Sequence, residues 1–150
     1  MHILVDADAC PVKEEVLRVA ARHALRVTFV AGTSMRIPDD ERVRLEIVDR
    51  GFDAADDWIV EHATRGNIVV TADIPLAARC LAIGAHVMGT TGRPFTEDNI
   101  GEALATRTLL ADLRIAGERT RGPAAFSARD RSRFLQALEQ MVQAARRTPH

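Results

Sequence analysis

Through its first two thirds the chain alternates short runs of Val, Ile and Leu with segments whose apolar residues recur at helical spacing. Few folds accept that alternation. A strand buried on both faces reads as a continuous apolar run, and a helix between two such strands carries the crossover of a βαβ unit, so the pattern predicts a parallel sheet with helices packed on it. Ile3 to Val5, closing on Asp6, is the first strand; Val12, Val16, Val19, Ala20 and His23 mark the helix after it. Arg26 to Ala31 and Leu45 to Val48 read as strands two and three, with a polar loop from Gly32 to Arg44 that has room for a helical turn. A helix over 54–65 ends at Gly66-Asn67, the run Ile68 to Val70 is a fourth strand, a helix follows from Pro75 to Ile83, and His86 to Met88 is a fifth strand.

Gly89 to Gly92 opens a loop to Thr96, which is placed to cap a helix over 97–115. Gly117 ends that helix, and 117–123, with Arg119 and Arg121, is expected to be a mobile loop. Ser127 and Asp130 have capping-box spacing ahead of Phe134, Leu138, Met141, Val142 and Ala145. The expectation is therefore one α/β domain over 1–150. It has a central, mainly parallel sheet of four to five strands between helices, with the C-terminal helices (about 97–146) packed on the sheet body. With 150 residues, 47% hydrophobic, the chain is long enough for one core and short for two. Aromatics make up only 4%, so that core is aliphatic, as helices on a parallel sheet require.

A formal charge of −1, from 20 basic and 21 acidic residues, excludes bulk attraction to nucleic acid or to an anionic membrane, so any such contact must be local. Cys10 and Cys80 stand far apart, which indicates neither a zinc site nor a disulfide framework. No basic and apolar leader follows Met1, and no run approaches the ~20 residues of a membrane span. A cytoplasmic setting is expected.

In parallel α/β units the strand-to-helix turns converge at the C-terminal edge of the sheet. That places Asp6 and Asp8, then Asp53, Asp56 and Asp57, then Asp73 on one edge. Asp56 precedes Ile59, Val60 and Ala63 at helical spacing and so faces inward at the rim. Carboxylates gathered near one point repel unless a cation compensates, which points to a hard ion such as Mg²⁺ or Mn²⁺; oxygen ligands without histidine argue against zinc. Each acid also has a plainer use. Asp8 before Pro11 and Asp73 before Pro75 are good helix N-caps, and Asp53 with Asp56 has capping-box spacing. Asp6, closing an apolar strand, has no capping duty.

Lys13, the only lysine, follows the first acidic turn and is a candidate to neutralise it or to touch a phosphate. Arg36, Arg93 and Asn99, with the backbone of Gly89 to Gly92, are further candidates for contact with an anionic substrate, although a loop with two glycines is more often only a turn. Cys10 sits among acids that do not support a reactive thiolate and reads as a packed cysteine. No histidine is assigned catalysis.

The stretches Val5 to Lys13 (VDADACPVK), 51–59, Val70 to Ala77 (VTADIPLA), 92–96 with Asn99-Ile100, and Gly122-Pro123 with Phe126 and Asp130-Arg131 resemble the YaiI/YqxD family of uncharacterised bacterial proteins, placed among the PIN-like nuclease domains. The resemblance covers nearly the whole chain. It implies a single PIN-like three-layer domain, with Asp6, Asp56 and Asp73 binding Mg²⁺ or Mn²⁺ and Asp8 or Asp53 assisting. The expected activity is phosphodiester hydrolysis, RNA being the favoured substrate. In it a metal-bound water attacks phosphorus in line, Asp8 orients the water, and Arg93 or Lys13 offsets charge.

Two alternatives stand beside it. Asp6-Ala7-Asp8 after an apolar strand is also similar to haloacid-dehalogenase-type phosphatases, in which Asp6 would be the nucleophile, though no cap insertion is evident. The other is a non-catalytic RNA- or protein-binding module. Homo-oligomerisation is left open.

Overall fold

The computed structural model describes residues 1–8, 10–49, 54–115 and 126–147, with 107–115 followed along the backbone alone. The expected helix end at Gly117, the loop over 117–123 and Asp53 lie outside the described residues.

Six strands form one sheet among the described residues: β1 (His2–Asp6), β2 (Arg26–Ala31), β3 (Val43–Ile47), β4 (Ile68–Val70), β5 (His86–Met88) and β6 (Pro94–Phe95). Their order is β3-β2-β1-β4-β5-β6; all neighbours are parallel except β5 and β6. The sheet thus exceeds the expected four to five strands by β6, whose two residues are too few to show a period and begin with a proline. β3 starts two residues earlier than its apolar content suggested. Its register is set by pairing Val43 to Ile47 against Val27 to Ala31, and on this edge strand Val43 and Leu45 alternate with Arg44 and Glu46. Residues 32–42 hold no helix; the loop contains a hydrogen-bonded turn, in which the Val43 N–H donates to the Asp40 carbonyl (3.0 Å).

The helices are α1 (Lys13–His23), α2 (Ala54–His62), α3 (Ile74–Ala82), α4 (Glu97–Ile115) and α5 (Ala128–Arg147). The β1-α1-β2 crossover steps one way across the sheet and the β3-α2-β4 and β4-α3-β5 crossovers step the other. Right-handed connections then put α1 on one face and α2 and α3 on the opposite face. The core divides accordingly. Ile3, Val5, Val27, Phe29, Ile68 and Val70 meet Val16, Val19, Phe134, Leu138 and Val142 from α1 and α5 on one side. Leu4, Val30, Val69 and Val87 meet Ile59, Leu76, Ala77 and Cys80 from α2 and α3 on the other. Each large apolar side chain so buried contributes about 1.5–3 kcal/mol. The result is three layers, helix on sheet on helix.

Local chemistry sets the helix ends. α1 carries Glu14 and Glu15 in its first turn and Arg22 and His23 in its last, matching the helix dipole, and stops at Ala24 in the left-handed region (φ 55°), whose N–H donates to the carbonyls of Ala20 and Ala21. Asp73 caps α3 with Pro75 in its first turn. Thr96 and Asn99 cap α4 reciprocally: the Asn99 N–H donates to Thr96 Oγ1 (3.2 Å) and the Thr96 N–H to Asn99 Oδ1 (2.9 Å). Ser127 and Asp130 do the same for α5. No described helix is long and apolar enough to cross a membrane.

Candidate functional site

β1 and β4 are neighbours in the sheet, but the helices that follow them, α1 and α3, leave to opposite faces. Such a switch point opens a crevice at the C-terminal ends of the two strands. Asp6 closes β1 at this crevice. Extending the β1–β4 register by one residue beyond Val5 and Val70 sets Asp6 beside Thr71. The Thr71 hydroxyl donates to Asp6 Oδ2 (2.9 Å) and accepts from the Asp73 N–H (2.9 Å), while Asp73 Oδ1 accepts from the Leu76 N–H (2.9 Å). Helix cap, buried hydroxyl and strand-end carboxylate therefore form one continuous chain, and Thr71 is fully buried within it. Sequence reasoning passed over Thr71. Its signal was available: it is the first polar residue after an apolar strand, two positions before an acid.

Burial is the main reason that the Asp6 carboxyl is raised above the ordinary range; the Thr71 hydrogen bond opposes the shift, and the charges of Asp73 and Asp8 add to it. Asp8 does not cap α1. The cap position is Val12, with no side-chain hydrogen bond, whereas both oxygens of Asp8 lie 3.0 Å from the Gly32 amide nitrogen just beyond β2. The cap reading failed because that partner is 24 residues away. Among the described residues, none of Asp6, Asp8 and Asp73 takes part in an ion pair.

The other sequence candidates are spread more widely. Asp56 is half-buried in the first turn of α2, one helical turn before the buried Ile59, and its charge helps to raise the Cys80 thiol to about 11, a shift due mainly to burial. Asp57 is exposed and pairs with Arg79 at 3.0 Å. Lys13 opens α1, half-buried beside Cys10. Cys10 is buried, which pushes its thiol up, as expected of a packed cysteine. Arg36 and Arg93 lie exposed on their loops.

Asn99 is committed to its own loop: besides capping α4 it donates from Nδ2 to the Pro94 carbonyl (3.0 Å). The Gly89 and Gly92 amides are committed too, donating to the carbonyls of Arg93 and Gly89, so this segment is a turn with those two donors turned inward. Three histidines are held by hydrogen bonds: His2 with the Thr28 hydroxyl, His23 with the Glu139 carboxylate, and His62 with the Trp58 carbonyl.

The donors at the switch point suit a hard cation in kind, since they are carboxylate oxygens whose charge no ion pair offsets. Among the described residues, however, no three His, Cys, Asp or Glu side chains are grouped closely enough to form a ready-made metal site. Asp53 is not part of that description. In kind, though not in grouping, the oxygen donors of Asp6, Asp8 and Asp73 would suit Mg²⁺ or Mn²⁺.

Residues 4–144 match the model of a family described as uncharacterised, the YaiI/YqxD family. A UPF0178 protein of Rhodospirillum rubrum is 56% identical over 148 residues, covering 98% of this chain and 99% of that protein. Another, from Rhodospirillum centenum, is 55% identical over 151 residues, with 98% of each chain covered. A third, from Bradyrhizobium diazoefficiens, is 54% identical over 146 residues, covering 97% of this chain and 87% of the relative. These names carry no activity. No solved structure matches.

Proposed function

The chain belongs to the YaiI/YqxD family, a premise that supplies no reaction, and we propose from the site that it is a metal-dependent phosphodiester hydrolase acting on RNA. The supporting observation is the hydrogen-bonded chain from Leu76 through Asp73 and Thr71 to Asp6 at the sheet's switch point, where this class of fold binds ligands. The resemblance to PIN-like nucleases assigns ligand roles to Asp6, Asp56 and Asp73, with Asp8 or Asp53 assisting. When bound, Mg²⁺ or Mn²⁺ supplies an activated water and stabilises charge developing on the phosphate.

The chain's own residues do the positioning. Thr71 fixes one oxygen of Asp6, and the Leu76 amide fixes one oxygen of Asp73, so both acids are oriented before any ligand arrives. Asp8 is tied to Gly32 and bounds the crevice on the β2 side. The buried, free thiols of Cys10 and Cys80 suit a reducing, cytoplasmic setting.

Calorimetric titration of Mn²⁺, paired with cleavage of a labelled single-stranded RNA, tests the proposal. Wild type is expected to bind stoichiometrically and to cleave; Asp6→Asn should lose the binding and slow cleavage by at least about 100-fold, the scale of several kcal/mol of lost charge stabilisation. Full activity with Asp6, Asp56 and Asp73 all changed to Asn would refute it.

A further inference from the structure

At the other end of the strands, on the face carrying α2, the charge reverses. Side chains alternate along a strand, so the even-numbered residues of β1, β2 and β3 share this face: His2 and Leu4, then Arg26 and Thr28, then Arg44 and Glu46. Arg42, just before β3, accepts at its carbonyl from the Val27 N–H (2.9 Å), which places it beside Arg26. α2 lies over Leu4 and Val30 of β1 and β2, leaving the β3 side of the face as a groove of about 430 Å³.

Arg26, Arg42 and Arg44 line that groove and are all exposed; among the described residues none is in an ion pair. Glu41 and Glu46 also reach it. The field at its floor is nevertheless positive: burial, then Arg26, the chain's amino terminus and Arg44, hold the His2 imidazole below its ordinary pKa. The wall is aromatic. Trp58 and His62, one helical turn apart on α2, stack with ring centroids 3.8 Å apart and planes 12° from parallel. A second hollow, of about 820 Å³, shares His2, Arg26 and His62 with this groove and continues it to Arg146.

Three unpaired guanidiniums beside a stacked indole match the two halves of a nucleotide, an anionic phosphate and a flat base. We propose that this groove binds nucleotide units, with phosphate on Arg26, Arg42 and Arg44 and a base against the Trp58–His62 stack. The size suits one nucleotide, and the continuing hollow favours a single strand over a free mononucleotide. The site is separate from the acidic edge, and the inference holds whether or not that edge cleaves RNA.

Trp58 is the only tryptophan of the chain, so intrinsic fluorescence reports on the groove directly. The full chain is titrated in EDTA, which silences any cleavage, with an eight-nucleotide single-stranded RNA, with AMP, and with a glutamate peptide of the same charge as the RNA. The expected result is saturable quenching by the RNA that weakens with added salt, at least tenfold weaker binding of AMP, and at least tenfold weaker RNA binding by Arg42→Glu/Arg44→Glu. Equal affinity for AMP and RNA would also support the site and identify the free nucleotide as its ligand.

In wild type, NMR titration of the His2 ring gives a measurement independent of the variant. A bound phosphate offsets Arg26 and Arg44 and is expected to raise the His2 pKa. Unchanged fluorescence with both nucleotide probes, a variant that binds RNA as wild type does, a His2 pKa unmoved by saturating RNA, or peptide binding as tight as RNA binding would each overturn the proposal.

Discussion

The seam between α1 and α5 and the C-terminal edge of the sheet treat charge in opposite ways. Along the seam Glu139 takes a 2.6 Å ion pair from Arg22 and pairs with His23, Arg131 donates to the Pro11 carbonyl (2.6 Å), and Arg146 donates to the His23 carbonyl. At the edge, Asp6, Asp8 and Asp73 are held by a hydroxyl and two backbone amides, none of which carries a charge. One acid in each region is shifted, and the two shifts are opposite. Burial of Glu139 is outweighed by its bonds to His23, Arg22 and Gln143, and its carboxyl sits below the ordinary range; Asp6 sits above it. Charge that only fastens two helices is matched. Charge left unmatched beside a crevice costs stability, and that is the physical ground for assigning function there.

The largest effect is expected where the two regions touch. Gly92, in the turn between β5 and β6, has φ +86°, and a Cβ there would fall 2.9 Å from the Arg133 carbonyl oxygen and 3.0 Å from the Phe134 nitrogen, both backbone atoms of α5. Gly92→Ala combines a left-handed strain with a clash that no side-chain movement relieves, and should cost roughly 2–4 kcal/mol in urea denaturation. Unchanged stability would mean that the edge and the seam are mechanically independent.

Asp6→Asn should change stability with the opposite sign. Because the folded pKa of Asp6 lies above its ordinary 3.8, the folded protein retains a proton there that the unfolded chain releases, so stability falls as pH rises through that window and the deficit persists at neutral pH. The asparagine can still accept from Thr71 and carries no charge. Its melting temperature should exceed that of wild type by a few degrees at pH 7, and the advantage should vanish below about pH 3.8, as thermal melts across pH would record. A less stable Asp6→Asn at pH 7 would remove the contrast between the two regions.

How far the sequence anticipates this picture depends on how local each determinant is. β2, β4 and β5 match their apolar runs residue for residue, and α4 starts where Thr96 caps it, because those signals lie within a few residues of one another. β3 shifted, since its limits come from pairing with β2. The acids at the ends of β1 and β4 were legible from the βαβ rhythm. Their partners were not: Thr71 is 65 residues from Asp6, and Gly32 is 24 from Asp8. The arginine groove was hidden by the net charge of −1, which averages an acidic edge and a basic one to nearly nothing. Only the strand register brings Arg26 beside Arg42 and Arg44.

The smallest effect tests the matched side of the comparison. Glu139→Gln keeps the shape of the side chain and one hydrogen-bond acceptor but removes the charge that Arg22 and His23 face. Its folded pKa lies below the ordinary 4.5, so the carboxylate's contribution is complete above that value and is lost as pH falls through the lowered one. At pH 7 the variant should therefore be less stable by about 0.5–1 kcal/mol, the upper part of the range for partly exposed ion pairs, and high salt should narrow the gap. Urea midpoints at pH 7 and pH 3.5 would show it: a deficit at the first that shrinks at the second, where the Asp6→Asn advantage also disappears. Both differences close on acidification, but they start from opposite signs, and only carboxylates matched in one region and unmatched in the other account for that pair of curves.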